Sequence, residues 1–199
     1  MDEKFELKYR RVLDILPDVS DCANKKLVLV GGTALALFHL NHRISIDLDF
    51  VPLNGKDVEL KENLKGCLTK KGYKTKRAAH TNQFVIQFED TSIKVEVFET
   101  EYKINKIEEK HFSNGTILVA SIEDILEMKI QSYMDRQEAR DLFDIVFILK
   151  ERKKDNNILN DLIAKGEIKN IEDIKNMVLK NEDYEFFQKV IGDASKTSS

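Results

Sequence analysis

The stretch GGTALALFHLNHRISIDLDF, residues 31–50, sets two aspartates one residue apart inside an otherwise apolar run. Ile44 and Ile46 precede Asp47, Leu48 separates it from Asp49, and Phe50 and Val51 follow. Burying two like charges so close together costs on the order of several kcal/mol unless a positive group is shared between them. From Arg43 to Pro52 the pattern alternates, with Ser45, Asp47 and Asp49 on one side and Ile44, Ile46, Leu48 and Phe50 on the other. That alternation predicts a strand with one apolar and one polar face. Its two carboxylates point the same way, roughly 6–7 Å apart at the backbone.

Just upstream, Leu27–Val30 is a short apolar run that predicts a buried strand. Gly31-Gly32 interrupts it, and Thr33–Leu40, rich in Ala and Leu, predicts a helix. Two glycines between strand and helix let the backbone approach a ligand closely, and a helix start offers free N–H groups to a phosphate. For Gly-Gly alone, a tight turn with no ligand is the favoured account. The acids add chemistry to it. Carboxylates at this spacing can share a hard divalent cation such as Mg²⁺, which keeps phosphate and water among its ligands. The plain alternative is a solvated polar strand face.

Further out, residues 3–16 predict an amphipathic helix ended by Pro17, and residues 56–71 a helix ended by Gly72. Gln83–Phe88 and Ile93–Phe98 predict a hairpin across Glu89-Asp90-Thr91-Ser92, and Thr116–Val119 a further short strand. Pro52, Asn54 and Gly55 predict a loop. Ser121 and Asp124 resemble a capping box that opens a mostly helical remainder, reaching to about residue 191. The polar end, Asp193–Ser199, predicts disorder. The fold class is therefore α/β (α+β): a mixed β-sheet flanked by helices, with a C-terminal helical portion.

Composition narrows the function. A formal net charge of -3 argues against a protein that coats nucleic acid wholesale. No run approaches a membrane span and MDEKFELKYRR holds no apolar leader core, which predicts a soluble cytoplasmic protein with no membrane partner. The two cysteines, Cys22 and Cys67, lack metal-site spacing and predict plain thiols. Lys65, Lys70, Lys71, Lys74, Lys76 and Arg77 form a run with no acid between Lys65 and Arg77. It reads first as a solvated face and second as a contact for an RNA backbone. His39 and His42 predict local hydrogen bonds rather than ligation.

Gly31-Gly32-Thr33 followed by Arg43-x-Ser45-x-Asp47-Leu48-Asp49-Phe50 resembles the nucleotidyltransferase signature of the DNA polymerase beta superfamily. More narrowly, the stretch is similar to the AbiEii family of abortive-infection toxins. The second part of the resemblance is ILEMK, ending at Lys129, followed by ARDLFDIVFIL with Arg140, Asp141 and Asp144. Ile122, Leu126, Lys129 and Tyr133 recur at helical spacing, so Lys129 lies on the apolar stripe and needs an anion, unless its ammonium snorkels to water. Arg140 and Asp144 could form an ordinary i,i+4 pair.

The resemblance covers roughly residues 25–150 and implies a nucleotidyltransferase domain over 1–150, leaving 151–199 as a C-terminal helical segment with a disordered tail on its own residue pattern. It implies nucleotide binding at Gly31, Gly32, Thr33, Arg43, Ser45 and Lys129, metal on Asp47 and Asp49, and catalysis by Asp47, Asp49, Lys129 and Asp141. Glu96, on a strand face beside Lys94, is a candidate third metal ligand. The implied cofactor is Mg²⁺ and the implied substrate a nucleoside triphosphate. The nucleoside monophosphate would pass to an RNA acceptor, the 3′ end of tRNA, in a toxin whose cognate antitoxin does not touch it directly. A small-molecule hydroxyl acceptor, as in antibiotic-modifying relatives, and a nucleotide-binding module without turnover are the alternatives.

Overall fold

The computed structural model describes residues 3–54, 57–112, 115–153, 157–164 and 166–197. A seven-stranded sheet lies at its centre, in the order β3-β4-β5-β2-β1-β7-β6. The strands are β1 (Leu27–Val30), β2 (Leu48–Pro52), β3 (Lys74–Arg77), β4 (Gln83–Gln87), β5 (Ser92–Val97), β6 (Ile107–Phe112) and β7 (Gly115–Ala120). β1 runs parallel to β7 and β2 parallel to β5, while the remaining pairs are antiparallel, so the sheet is mixed as expected. β1 is buried along its whole length, which is why its sequence is continuous rather than alternating.

The helices are α1 (Glu3–Ala23), α2 (Gly31–Leu35), α3 (Asp57–Lys70), α4 (Ile122–Arg136), α5 (Ala139–Arg152), α6 (Asn157–Ile163), α7 (Ile171–Met177) and α8 (Asn181–Thr197). α1 and α3 pack on each other and on β5. α4 and α5 pack on each other, and Ile125 of α4 and Leu142, Phe143 and Ile145 of α5 are fully buried. Ser121 caps α4, its Oγ accepting the Asp124 N–H at 3.2 Å and donating to the Asp124 carboxylate at 2.7 Å. This is the N-cap half of the capping box expected from the sequence; the reciprocal bond does not form, because the Ser121 N–H donates to the Lys106 carbonyl at 3.0 Å instead of to the Asp124 carboxylate.

Several expectations are corrected. α1 continues through Pro17 to Ala23. Proline removes the bond to the Leu13 carbonyl, but Leu13 is an exposed residue, and burial of Leu16, Val19 and Ala23 carries the helix across the break. α2 loosens into a π-turned segment, Ala36–Leu40, which ends on Asn41 in the left-handed region (φ 49°). The strand expected from Arg43 begins only at Leu48, because the backbone of residues 43–44 is engaged elsewhere: Ile44 N–H donates to the Met177 carbonyl at 2.7 Å, and Arg43 bridges Val178. β3 and β6, dense in charge, fall where no strand was expected. α8 runs on to Thr197 where disorder was expected; Ser198, Ser199 and the loop residue Gly55 lie outside the described residues. Finally, Cys22 and Cys67 are joined as a disulfide between α1 and α3, with a Cα separation of 5.6 Å. A single pair 45 residues apart carries no sequence pattern to announce it.

Candidate active site

β2 and β5 are neighbours, and their register sets Asp49 opposite Glu96. Leu48, Phe50, Val95 and Val97 go into the core with no exposure, so the acids are presented on the other face. There they meet a cavity of about 610 Å³. Gly31, Gly32, Arg43, Ser45, Asp47 and Asp49 line one wall, Lys94 and Glu96 another, and Lys129, Arg136 and Arg140 a third. The remaining wall is the C-terminal segment, through Asn170, Asp173, Ile174, Asn176 and Met177.

The diglycine is needed for packing as well as for access. Gly31 sits at φ +70°, and a Cβ there would lie 2.9 Å from the Asp49 carboxylate. A Cβ on Gly32 would strike the Arg43 guanidinium and come within 2.9 Å of Ser45 Oγ. Thr33 is fully buried, its Oγ1 bonded to Ser45 Oγ at 2.9 Å and donating to the Asp47 carbonyl. Its hydroxyl therefore faces into the protein, away from the cavity, and holds the turn against the segment that carries the acids.

Electrostatics separates the acids into two groups. Burial pushes the Asp49 carboxyl up from its usual 3.8 to about 6, with the Asp47 charge adding to the effect and Lys94 opposing it. Lys94 Nζ lies 3.3 Å from Asp47 Oδ2 and 3.9 Å from Glu96 Oε2. Glu96 also accepts from Asn82 Nδ2 at 2.7 Å and Gln83 Nε2 at 2.9 Å. Two of the three carboxylates, Asp47 and Glu96, thus share one ammonium. Among the described residues, no group of three or more His, Cys, Asp or Glu side chains is arranged to hold a metal ion by itself, so an ion at Asp47 and Asp49 would need ligands from outside the chain.

The second group is buried and fully paired. Asp144 accepts from Arg43 Nε (2.6 Å) and Nη2 (2.7 Å), from His42 Nε2 (2.7 Å) and from Lys129 Nζ (2.7 Å). Burial alone would raise its carboxyl, but Arg43 and Lys129 hold it well below the usual carboxylate range. Asp141 accepts from Lys129 at 2.9 Å and from Arg136 at 2.6 and 2.9 Å. Arg140, expected to pair with Asp144, instead lines the cavity. Lys129 takes both Asp141 and Asp144 as its anions. Burial pushes the His42 imidazole below its usual value against the opposing pull of Asp144, which its Nε2 bonds at 2.7 Å, and His39 bonds the Ala120 carbonyl at 2.9 Å.

Of the residues predicted from sequence, Gly31, Gly32, Arg43, Ser45, Asp47, Asp49, Glu96 and Lys129 meet at the cavity, whereas Thr33 and Asp141 stand behind it. Lys94 and Arg136 went unrecognised. Lys94-x-Glu96 on β5 mirrors Asp47-x-Asp49 on β2, and that shared spacing was the available signal.

The family model of the nucleotidyl transferase AbiEii toxin of type IV toxin–antitoxin systems matches residues 15–194. The chain belongs to the AbiEii family. It is a nucleotidyltransferase by family, and both motifs lie within the matched span. JHP933 from Helicobacter pylori shares the fold, with a TM-score of 0.60 at 21% identity over 100% of this chain and 96% of that one. An antigenic nucleotidyltransferase-like protein from Paracoccidioides brasiliensis matches at 0.54 and 18% identity, over 72% of this chain and 76% of that one. The antibiotic-resistance factor ANT(2'')-Ia matches at 0.51 and 14% identity, over 79% and 89%. Comparison with curated proteins gave no significant match.

Proposed function

We infer that this AbiEii protein is a Mg²⁺-dependent enzyme that moves a nucleoside monophosphate from a nucleoside triphosphate to RNA, at the 3′ end of tRNA. It acts in the cytoplasm as the toxin of a toxin–antitoxin pair, with an antitoxin that need not touch it. One observation carries the reading. Asp49, raised to about 6 beside Asp47 at the cavity wall, is a carboxylate short of positive charge, set against the backbone of a diglycine turn.

Asp47, Asp49 and Glu96 offer only hard oxygen donors, the set Mg²⁺ prefers when phosphate and water complete its shell. When bound, the ion neutralises the carboxylates and the phosphate oxygens and so favours in-line displacement. The chain's own residues do the rest. Gly31 and Gly32 let the triphosphate approach the backbone, and Arg140 brings positive charge to the same cavity. Lys129 reaches the cavity wall with its ammonium already fixed by Asp141 and Asp144, so it acts as a pre-oriented charge that needs no reorganisation. Asp141, fully buried, is a positioning residue for Lys129 and Arg136. An RNA acceptor is favoured over a small one by the exposed basic residues Lys74, Lys76 and Arg77 on edge strand β3, whose Arg77 pairs with Phe84 next to the Glu96-binding Gln83.

Incubation with each labelled nucleoside triphosphate, Mg²⁺ and total RNA, followed by gel separation, tests the reading, with hydroxylated small molecules as the parallel acceptor arm. Label is expected on tRNA and absent with Asp47→Ala, whose melting temperature should stay near that of the wild type because Asp47 is partly exposed. Labelling that survives this substitution removes the mechanism.

A further inference from the structure

Among the described residues, Lys94 is the one ammonium in contact with Asp47 and Glu96, and it occupies an unusual place. It sits on β5 one position away from the core residues Ile93 and Val95, and it lines the same cavity as Asp47, Asp49 and Glu96. Its Nζ is 3.3 Å from Asp47 Oδ2 and 3.9 Å from Glu96 Oε2. Of the other basic side chains lining the cavity, three are already committed, Arg43 to Asp144, Lys129 to Asp141 and Asp144, and Arg136 to Asp141, while Arg140 forms no ion pair with Asp47 or Glu96 among the described residues. Those three are fixed in place by buried carboxylates. Lys94, by contrast, is about one-third exposed, on a flexible four-carbon stem, and its partners are the very groups that the site needs for another purpose.

We propose that Lys94 is the built-in counter-ion of the carboxylate cluster: its ammonium stands between the carboxylates of Asp47 and Glu96 until a divalent cation displaces it, and then turns to a triphosphate entering the same cavity. The proposal rests on the reading of Asp47 and Asp49 as the metal and nucleotide site. The physical reason is charge balance. Three carboxylates facing one cavity repel each other, and a single ammonium removes part of that repulsion without filling the shell a hard cation requires. Loading replaces one positive charge by two, and the displaced ammonium enters just as the triphosphate brings new negative charge within reach. Lys94 would thus tie the arrival of metal to the arrival of nucleotide.

The signature is a change of sign. Without nucleotide, Lys94 competes with the metal, so Lys94→Gln should bind Mn²⁺ more tightly than wild type by about five- to thirtyfold, the range expected for one charge acting on a divalent ion across a hydrated site. Lys94→Arg, which keeps the charge, should stay near wild type. With Mn²⁺ saturating, the same Gln substitution should weaken binding of a non-reacting α,β-methylene triphosphate. Free Mn²⁺ measured by electron paramagnetic resonance and analogue binding by calorimetry supply the two readouts, neither of which depends on turnover.

Equal Mn²⁺ affinity in Lys94→Gln and Lys94→Arg overturns the counter-ion role. Undiminished analogue binding in Lys94→Gln overturns the handover to the triphosphate. Asp47→Asn serves as the control for the underlying site. If Lys94→Gln fails to tighten Mn²⁺ while Asp47→Asn still abolishes its binding, the metal site stands and only the role of Lys94 falls. If Asp47→Asn leaves Mn²⁺ binding untouched, the site reading itself falls.

Discussion

Asp49 is ionised at neutral pH against the preference of its surroundings. Its carboxyl sits at about 6 in the folded chain against the usual 3.8, chiefly because of burial and then because of Asp47. The folded state therefore holds a proton that the unfolded state has already released, and stability falls as pH rises between those two values. Above about pH 6 the folded, metal-free chain carries the whole penalty, at most about 3 kcal/mol and less where solvent at the cavity screens it. Asp49→Asn should then raise the melting temperature at pH 8 by several degrees, with the gain vanishing near pH 4, while transfer is lost. Thermal unfolding in chelator at the two pH values checks this. An unchanged melting temperature at pH 8 means that Asp49 is not the strained group. The same reasoning makes bound divalent metal a stabiliser of the wild type, since it meets the charge that the asparagine variant no longer has.

At the scale of elements, the pair α4–α5 shows how the second motif works. Lys129 on α4 and Asp141 and Asp144 on α5 form a buried bridge, and Asp144 extends it to Arg43, just ahead of β2. The motif thus braces the segment bearing Asp47 and Asp49 against the helical layer. Asp144→Asn leaves Arg43 and Lys129 each short of an anion inside the protein, which should cost about 3–5 kcal/mol. Urea unfolding is expected to show a lowered midpoint with an unchanged slope, and a midpoint equal to wild type would deny the brace. The contrast with Asp47→Ala, which should spare stability, separates binding groups from supporting ones. Sequence spacing revealed that Lys129 points inward and that Asp47 and Asp49 share a face, because period alone determines both. The partners of Asp144 stayed hidden, since Arg43 lies 101 residues away and an i,i+4 neighbour, Arg140, offered a cheaper explanation. β3 and β6 were missed for a related reason: edge strands carry charge, and their ladder partners are not visible in local composition.

The whole molecule closes its site with its last third. α8 buries Phe187 completely, its ring 5.2 Å from Phe143 of α5 in an edge-on contact, and α7 supplies the Met177 carbonyl that holds Ile44. Asn170, Asp173 and Asn176 line the cavity from the same segment. A chain read as 1–150 plus an appendage has little signal for this, because the polar residues of α7 are unremarkable until the fold brings them opposite Asp47. If residues 151–199 were a separable unit, heating would release them first and leave the sheet folded. The shared core predicts the opposite. Phe187→Ala removes a large buried ring and should destabilise by about 3–5 kcal/mol. Because Phe143 touches that ring and stacks on His42, next to Arg43 in the braced segment, the loss should appear as a single calorimetric transition moved to lower temperature, with nucleotide binding lost in step with it. Two transitions, the earlier one sensitive to Phe187→Ala and the later one unmoved, would instead show that the C-terminal helices fold independently of the site they line.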